Sequence, residues 1–164
     1  MQKAFYDRLS RPFEENEEKK KRLIAANSVV TKAFYIAYPV LLVILALTRD
    51  DRFFRVLLVP LISFVIVSVF RRVCGARRPY EIWDAPPLIR KDTRGNSFPS
   101  RHVFSVFMIA MAAAYVCLPA AIAMIAAGVF LAAVRVIIRV HFVRDVVAGT
   151  LIGIGLGLLG FFVL

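Results

Sequence analysis

The two histidines of the chain have neighbours that suit them to acid–base or nucleophilic chemistry. His141 precedes Asp145 by four residues, so the carboxylate can reach one imidazole nitrogen if the segment is helical. A carboxylate that accepts a hydrogen bond from Nδ1 fixes the tautomer and leaves Nε2 as a nucleophile. His102 stands at the start of an apolar run and would be the complementary group, a proton donor to a leaving alkoxide.

Arginines are concentrated in the same parts of the sequence. Arg71 and Arg78 are seven residues apart, about two helical turns, so their side chains can point the same way. Arg135 and Arg139 follow a long apolar run, where an ionisable group indicates a functional site. Because a planar guanidinium suits bidentate binding of phosphate, we predict that several of these arginines bind phosphate. The alternative is that they only mark cytoplasmic loops, as the positive-inside rule describes.

A third group is the stretch "PSRH", residues 99–102, where a polar loop enters an apolar run. If the run is a helix, its free backbone N–H groups and positive dipole end favour an anion at this position. Ser100 can cap the helix or donate a hydrogen bond to the anion. The stretch therefore predicts a phosphate at the start of this helix.

A metal site is the competing interpretation of His102, His141 and Asp145. The chain has no further carboxylates suited to complete a cation site there, and the neighbouring arginines would repel the ion. Cys74 and Cys117 have neither a metal-binding nor a redox spacing. We therefore predict no metal and no cofactor.

The elements that carry these residues are predicted to be membrane helices. The chain has 164 residues, is 60% hydrophobic and has a mean hydropathy of +0.72, which is too apolar for an ordinary soluble domain. A soluble bundle of buried helices is the alternative, but too little polar sequence is available to cover it. The predicted spans are Leu23 to Leu47, Phe53 to Phe70, His102 to Leu118, Ala120 to Ile138 and Val146 to Leu164.

The predicted fold is therefore an all-α integral membrane bundle of about five transmembrane helices. Residues 1–22 form a charged N-terminal segment, and residues 23–164 form one membrane domain. In the N-terminal segment Phe5, Leu9 and Phe13 recur every fourth residue, which predicts either an amphipathic interfacial helix or a frayed terminus.

Two further features concern packing around the predicted phosphate site. Gly149, Gly153 and Gly157 recur every fourth residue and predict close packing of the last helix on a neighbour. The segment from Pro79 to Pro99 is expected to fold over the site. Its stretch "YEIWDAPP" either touches substrate or is only part of the loop.

The net charge of +11 limits the possible partners. No basic stripe is interleaved with aromatic residues on a soluble module, so we predict no nucleic-acid partner. The bilayer, anionic lipid and phosphate are the expected partners, and the sequence does not predict an oligomeric state. With five spans, the N-terminus and the arginine-rich segments share one face, and their basic residues predict that this face is cytoplasmic.

In their order along the chain, these motifs resemble the type 2 phosphatidic acid phosphatase (PAP2) superfamily, which shares its site with vanadium haloperoxidases. The family pattern is Lys, six residues, Arg-Pro; then Pro-Ser-Gly-His; then Ser-Arg, five residues, His, three residues, Asp. Three positions depart from it: Arg71 replaces Lys, Arg101 replaces Gly, and Val134 replaces Ser. The matching residues are Arg71, Arg78-Pro79, Pro99-Ser100-Arg101-His102, Val134-Arg135, His141 and Asp145.

The resemblance implies roles for these residues. His141 attacks phosphorus and forms a phosphohistidine, Asp145 holds it, and His102 protonates the leaving group. Arg101 either constrains the turn or adds a ligand, and the loss of Ser at position 134 removes one expected hydrogen bond. The groups implied to bind the phosphoryl oxygens are Arg71, Arg78, Ser100 and Arg135.

The resemblance also implies a function, a small bacterial plasma-membrane phosphatase. Its substrate would be a lipid phosphate such as phosphatidylglycerophosphate, phosphatidate or a polyprenyl phosphate or pyrophosphate. Bacterial relatives with six spans commonly have outward-facing sites, which conflicts with the cytoplasmic face predicted above. The alternative function is a weakly active or silent membrane protein that binds anionic lipid. Haloperoxidase activity does not suit so small a membrane-embedded chain.

Overall fold

The computed structural model describes residues 2–83, 85–89 and 94–164, and these ranges are helical and contain no strand, as predicted. Residues 84 and 90–93, which belong to the loop expected over the site, lie outside the described residues. The elements, in chain order, are α1 (Gln2–Glu14), α2 (Glu17–Leu47), α3 (Phe53–Cys74), α4 (Pro79–Ile82), α5 (Arg101–Val116), α6 (Leu118–Ile137) and α7 (Val143–Leu158), which continues as a π-helical turn over Leu159–Val163.

Helix α2 begins before the apolar sequence does. The side chain of Asn16 caps it by accepting a 2.9 Å hydrogen bond from the backbone N–H of Lys19. Glu17 and Glu18 in the first turn favour this end because their charges oppose the helix dipole. Helix α2 is continuous from residue 17 to residue 47, so the boundary predicted after residue 22 lies inside a helix.

The outer surface of the bundle is that of a membrane protein. In the described residues, α2, α3, α6 and α7 with its π-helical turn are long and apolar enough to cross a bilayer, whereas α5 is apolar but shorter. Large apolar side chains such as Val43, Ile66 and Leu151 point outward and are more than half exposed. Contiguous apolar surface of this kind needs lipid around it. The protein is therefore an integral membrane protein and not a soluble bundle.

Helix α5 forms the centre of the bundle and packs against α6 and α7. Only Cys117 separates α5 from α6, so these two helices form the expected tight hairpin. The predicted glycine packing is also found, and the neighbour of α7 is α5. A Cβ atom at Gly149 would lie 2.7 Å from the carbonyl oxygen of Ser100, and one at Gly153 would lie 2.8 Å from that of Phe104. The glycines thus bring the first turn of α5 against the first turns of α7.

Helix α1 lies against the protein. Its Tyr6 and Ser10 are buried, and Leu9 and Phe13 pack against apolar clusters of the bundle. Phe5, the first residue of the predicted apolar stripe, is 51% exposed. The amphipathic N-terminal segment is thus a helix with most of its apolar face on the joint between α6 and α7.

Candidate active site

Arg71 and Arg78 both contact the segment that leads into α5. Arg71 lies in the last turn of α3, which ends because Gly75 adopts a left-handed φ of 56°. The buried Arg71 guanidinium donates hydrogen bonds to the carbonyl oxygens of Asn96 and Pro99. The buried Arg78 donates through Nε to the carbonyl oxygen of Gly95, at 3.1 Å. Both guanidinium groups thus reach one loop, but Arg78 lies beyond the end of α3, so a continuous helix through both residues, which the seven-residue spacing assumed, is not what brings them together.

The stretch "YEIWDAPP" supports this loop. Both oxygens of the Glu81 carboxylate lie 3.0 Å from the backbone N of Gly95, and Oε2 also accepts a 2.7 Å hydrogen bond from the backbone N of Arg78. Trp83 packs its ring against those of Tyr6 and Phe142, with centroids 4.9 and 5.2 Å away. Glu81 and Trp83 are thus supports for the loop and for the joint before α7.

Asp145 is the centre of a buried hydrogen-bond group. Its Oδ2 accepts a 2.5 Å hydrogen bond from the hydroxyl of Ser97 and a 3.0 Å hydrogen bond from the backbone N of Phe142. The same Oδ2 lies 3.5 Å from Nδ1 of His141, and Asp145 and His141 are almost fully buried. A carboxylate at this position favours the tautomer with the proton on Nδ1, which leaves the lone pair on Nε2. The pair expected from the four-residue spacing is therefore present.

The environment of His141 keeps its imidazole neutral. Burial lowers the pKa of His141 to about 4, although its interaction with the Asp145 carboxylate acts in the opposite direction. The charges of Arg78 and Arg135 also lower this pKa. A neutral imidazole is the nucleophilic form, and it is favoured here throughout the neutral pH range.

Two buried donors of the site lack a hydrogen-bond partner among the described residues. They are Nε of Arg135, whose side chain is 4% exposed, and the hydroxyl of Ser100, which is fully buried. The backbone of each residue is nevertheless held close to the His141–Asp145 pair. The N–H of Ser100 donates to the carbonyl oxygen of Asp145 at 2.8 Å, and the carbonyl oxygen of Arg135 accepts from the N–H of His141 at 3.3 Å. An anion between them would satisfy both donors.

His102 lies in the first turn of α5, on the side that faces α2 and α6. It lines a cavity of about 20 Å³ with Tyr35 of α2 and Leu131 of α6. Leu131 precedes Arg135 by one helical turn, so His102 faces the helix that carries Arg135. The structure therefore places the second histidine between α2 and α6, on the helix that Ser100 precedes.

Arg101 and Arg139 are placed differently from Arg71, Arg78 and Arg135. Arg101 is exposed, and its guanidinium lies 5.5 Å from the ring centroid of Phe64 on α3. Arg139 belongs to the set of arginines of which several were predicted to bind phosphate, and it is paired with Asp7 and Glu14 of α1. Helix α6 ends at Ile137, so Arg139 does not continue the helical face of Arg135.

Ser97 is the site residue that the sequence interpretation missed. It lies between the glycine-containing loop and Pro99, where a serine has many ordinary explanations. No local spacing connects it with Asp145, which is 48 residues away in the sequence. In the described residues, no group of three or more His, Cys, Asp and Glu side chains is arranged to hold a metal ion.

Comparison with known proteins places this geometry in a family. The family model of the PAP2 superfamily matches residues 52–163 of the chain. The chain belongs to the PAP2 superfamily. The match includes every buried site residue described above, from Arg71 to Asp145, and leaves out α1 and α2.

Two solved PAP2-like structures share the fold. The crystal structure of Aquifex aeolicus LpxE is 21% identical, with a TM-score of 0.74 over 96% of this chain and 92% of that chain. A transmembrane PAP2 type phosphatidylglycerolphosphate phosphatase from Bacillus subtilis is 22% identical, with a TM-score of 0.57 over 96% of this chain and 90% of that chain. At these identities the likeness concerns the fold. No curated protein sequence matches the chain significantly.

Val134, which replaces the serine of the PAP2 pattern, lies in apolar surroundings. Val134 is 1% exposed and packs in an apolar cluster with Leu23, Ile138 and Val140. A valine there fills apolar space between α2 and the joint before α7. The departure at Arg101 adds an exposed charge at the entrance of α5.

Proposed function

We propose that this PAP2 protein is a membrane phosphatase that hydrolyses a lipid-linked phosphate through a phosphohistidine, without a metal ion. The observation that carries the proposal is a pair of buried donors without a hydrogen-bond partner in the described residues, Ser100 Oγ and Arg135 Nε, whose backbones bond to Asp145 and His141. Buried polar groups in proteins normally have partners, and a phosphoryl group supplies acceptor oxygens to both.

The proposed reaction has two displacement steps. In the first, Nε2 of His141 attacks phosphorus, the bond between phosphorus and the lipid oxygen breaks, and His102 gives its proton to the leaving alkoxide. In the second, water attacks the phosphohistidine, His102 accepts a proton from that water, and inorganic phosphate and free His141 are formed. Asp145 stabilises the positive charge on the His141 ring between the two steps.

The arginines provide electrostatic stabilisation in this proposal. The transition state of phosphoryl transfer spreads negative charge over the equatorial oxygens. Buried Arg71, Arg78 and Arg135 outnumber the buried Asp145 carboxylate, so the site carries an excess of positive charge. Such charges act strongly in a site that excludes water. Ser100 adds a hydroxyl donor, and Arg101 is proposed as a further ligand at the entrance.

A lipid substrate is favoured by an apolar groove close to this entrance. A cavity of about 260 Å³ runs between α2, α3 and α5, with Tyr38, Leu57, Leu61 and Met108 in its walls. Phe64 also lines this cavity, and its ring makes a cation–π contact with the Arg101 guanidinium. An acyl or prenyl chain in this groove would place its phosphate near the arginines. Phosphatidylglycerophosphate, phosphatidate and polyprenyl phosphates or pyrophosphates all satisfy this arrangement.

The test is phosphate release by the purified protein in detergent, from a panel of those lipid phosphates and from p-nitrophenyl phosphate. We expect turnover of at least one lipid that survives EDTA and is inhibited by vanadate, a phosphate mimic that can accept a histidine. A protein that binds these lipids without any turnover would be a silent anionic-lipid-binding member of the family. Activity that is lost with EDTA and restored by Mg²⁺ would refute the metal-free mechanism.

The lipid groove has a matched pair of variants. Leu61→Trp adds bulk to a groove residue, whereas Leu58→Trp adds the same bulk to an exposed position of the same helix that does not line the groove. We expect Leu61→Trp to raise KM for a long-chain lipid phosphate and to leave p-nitrophenyl phosphate hydrolysis unchanged. Equal effects of both variants on both substrates would argue against the groove as the lipid site.

A further inference from the structure

Helix α1 makes hydrogen bonds to the joint between α6 and α7 on both sides of His141. The hydroxyl of Ser10 donates to the carbonyl oxygen of Ile137 at 2.6 Å. The backbone N–H of Val143 donates to the hydroxyl oxygen of Tyr6 at 2.8 Å. These contacts lie four residues before and two residues after His141, so α1 spans the turn that carries it.

Between these two contacts, Arg139 forms ion pairs with α1. Its side chain is 4% exposed, and Nη2 lies 3.0 Å from Oδ1 of Asp7 and 3.1 Å from Oε2 of Glu14. Nη1 contacts the other oxygen of Glu14, so the Arg139–Glu14 pair is bidentate. Arg139 is two residues from His141, and its partners are 132 and 125 residues away in the sequence.

The joint is weakly fixed by its own backbone. The N–H groups of Val140 and His141 share one acceptor, the carbonyl oxygen of Arg135, and both distances are 3.3 Å. Arg139 itself has a φ of 60°, a left-handed conformation that an arginine adopts less readily than glycine does. Contacts from outside therefore contribute to its position: Nη1 of Arg78 donates to the carbonyl oxygen of Val140 at 3.1 Å, and α1 supplies the ion pairs with Arg139.

We propose that α1 positions His141 for attack, and that Arg139, Asp7 and Glu14 are positioning residues of the reaction. The inference rests on the proposed function because it takes His141 as the nucleophile. In-line attack on phosphorus depends on alignment, and a small displacement of the nucleophile lowers kcat strongly. Arg139 touches α1 and not the arginine cluster, so its removal should affect alignment and leave substrate binding intact.

The test compares full-length variants that break the link from either side. Arg139→Gly removes the side chain at a position where glycine suits the backbone, so the turn itself is relieved of strain. Asp7→Asn with Glu14→Gln keeps Arg139 and removes its partners. The matched control is Glu15→Gln, since Glu15 is the neighbour of Glu14 and pairs only with the exposed Arg11 in the part of the chain that the structure describes.

We expect Arg139→Gly and the Asp7→Asn/Glu14→Gln variant each to lower kcat about tenfold, with KM unchanged and with thermal unfolding close to that of the wild type. The variant with all three substitutions should be no slower than Arg139→Gly, because the three residues act as one unit. Glu15→Gln should keep the wild-type kcat. Imidazole ¹³C resonances of labelled histidine should show a displaced His141 signal in Arg139→Gly.

Three results would overturn the inference. The first is a kcat within twofold of the wild type in both link-breaking variants. The second is a raised KM in Arg139→Gly with unchanged kinetics in Asp7→Asn/Glu14→Gln, which would make Arg139 a substrate ligand. The third is an unchanged His141 resonance in Arg139→Gly. If the wild-type chain hydrolyses no phosphate ester, the proposed function fails, and the resonance alone decides whether α1 positions His141.

Discussion

The hydroxyl of Ser97 donates a 2.5 Å hydrogen bond to Oδ2 of Asp145, and the same hydroxyl oxygen lies 3.4 Å from Nδ1 of His141. This contact connects the loop before α5 with the first turn of α7. Besides His141, the described residues around the Asp145 carboxylate include the Ser97 hydroxyl and the backbone N–H of Phe142 as hydrogen-bond donors and Arg144, whose Nε lies 3.6 Å from Oδ1. The orientation of the carboxylate therefore depends on a loop that Arg71 and Arg78 hold.

Ser97→Ala tests this support. A hydrogen bond to a buried carboxylate contributes about 1.5–3 kcal/mol, so we expect kcat to fall about tenfold to a hundredfold with little change in KM. Ser63→Ala is the control, since Ser63 is buried in α3 more than two turns from Arg71. Steady-state kinetics on a lipid phosphate would decide, and an unchanged kcat in Ser97→Ala would show that Asp145 needs no hydroxyl.

The two histidines are predicted to differ in a substrate-dependent way. His141→Ala should be inactive with every substrate because it lacks the nucleophile. In His102→Ala, kcat for a lipid phosphate should fall about a hundredfold or more, because the leaving alkoxide needs a proton. The rate of the first step with p-nitrophenyl phosphate should fall much less, because its leaving group does not. That variant should release about one equivalent of nitrophenol per active enzyme and then stall, while acid-labile phosphate accumulates on the protein. A burst in His141→Ala and none in His102→Ala would reverse the two assignments.

The lowered pKa of His141 predicts a neutral imidazole over an unusually wide pH range. Because the chain has two histidines, His102→Gln leaves a single imidazole to follow by NMR in detergent micelles. We expect that signal to titrate near pH 4 and not near the ordinary 6.5. Titration near 6.5 would contradict the buried, neutral state of His141.

The same shift predicts how stability depends on pH. Between about pH 6.5 and pH 4 the unfolded chain binds a proton at His141 that the folded chain does not bind, so folding loses stability as the pH falls through this window. The unfolding temperature of the wild type should therefore fall more between pH 7 and pH 4 than that of His141→Gln, which has no imidazole to titrate.

The close packing of α7 on α5 is predicted to tolerate no side chain at Gly149. An alanine Cβ there would meet the backbone of Ser100 and Phe104, which cannot move without shifting α5. We expect Gly149→Ala to destabilise the protein by about 1–3 kcal/mol or more and to separate Ser100 from Asp145, with loss of activity. Gly155→Ala in the same helix is the control, because its Cβ would have nothing within 4 Å. Thermal unfolding and phosphate release measure both effects.

The orientation in the membrane can be read from the two native cysteines. Both are exposed, Cys74 at the arginine-rich end of α3 and Cys117 at the opposite end of α5. We propose that the catalytic face is cytoplasmic, in a bacterial plasma membrane, because the basic residues lie on that face. In intact cells a membrane-impermeant maleimide should then label Cys117 in Cys74→Ser but not Cys74 in Cys117→Ser. Permeabilised cells should show both, and the opposite pattern in intact cells would mean an outward-facing site.

Much of the fold could be predicted from the sequence because a helix that crosses the bilayer needs an apolar run of about 20 residues. The five apolar runs became α2, α3, α5, α6 and α7, with shifts at their ends. Helix α2 begins six residues before Leu23 because Asn16 and two glutamates start it outside the apolar run. A hydropathy pattern does not show where a helix begins in polar sequence, whereas capping residues such as Asn16 do.

The candidate site was predicted in part for a related reason. The His141–Asp145 pair is local in sequence, so its spacing pointed to the contact, although His141 precedes α7 and the segment is not the continuous helix that the spacing assumed. The contacts of Ser97 and Arg139 join residues that are distant in sequence, and only the packed fold brings them together. The sequence contains a charged arginine at position 139, but it does not show that the charge is used by Asp7 and Glu14.

The depth of the site follows from the short α5. His102 shares its cavity with Leu131, and α6 continues for six residues beyond Leu131, a rise of about 9 Å. Measured along α6, His102 thus lies about 9 Å below the end of that helix. Under the proposed function, a lipid phosphate would have to enter the bundle to this depth to reach His102. The width of the entrance would then select for a compact headgroup over a bulky one.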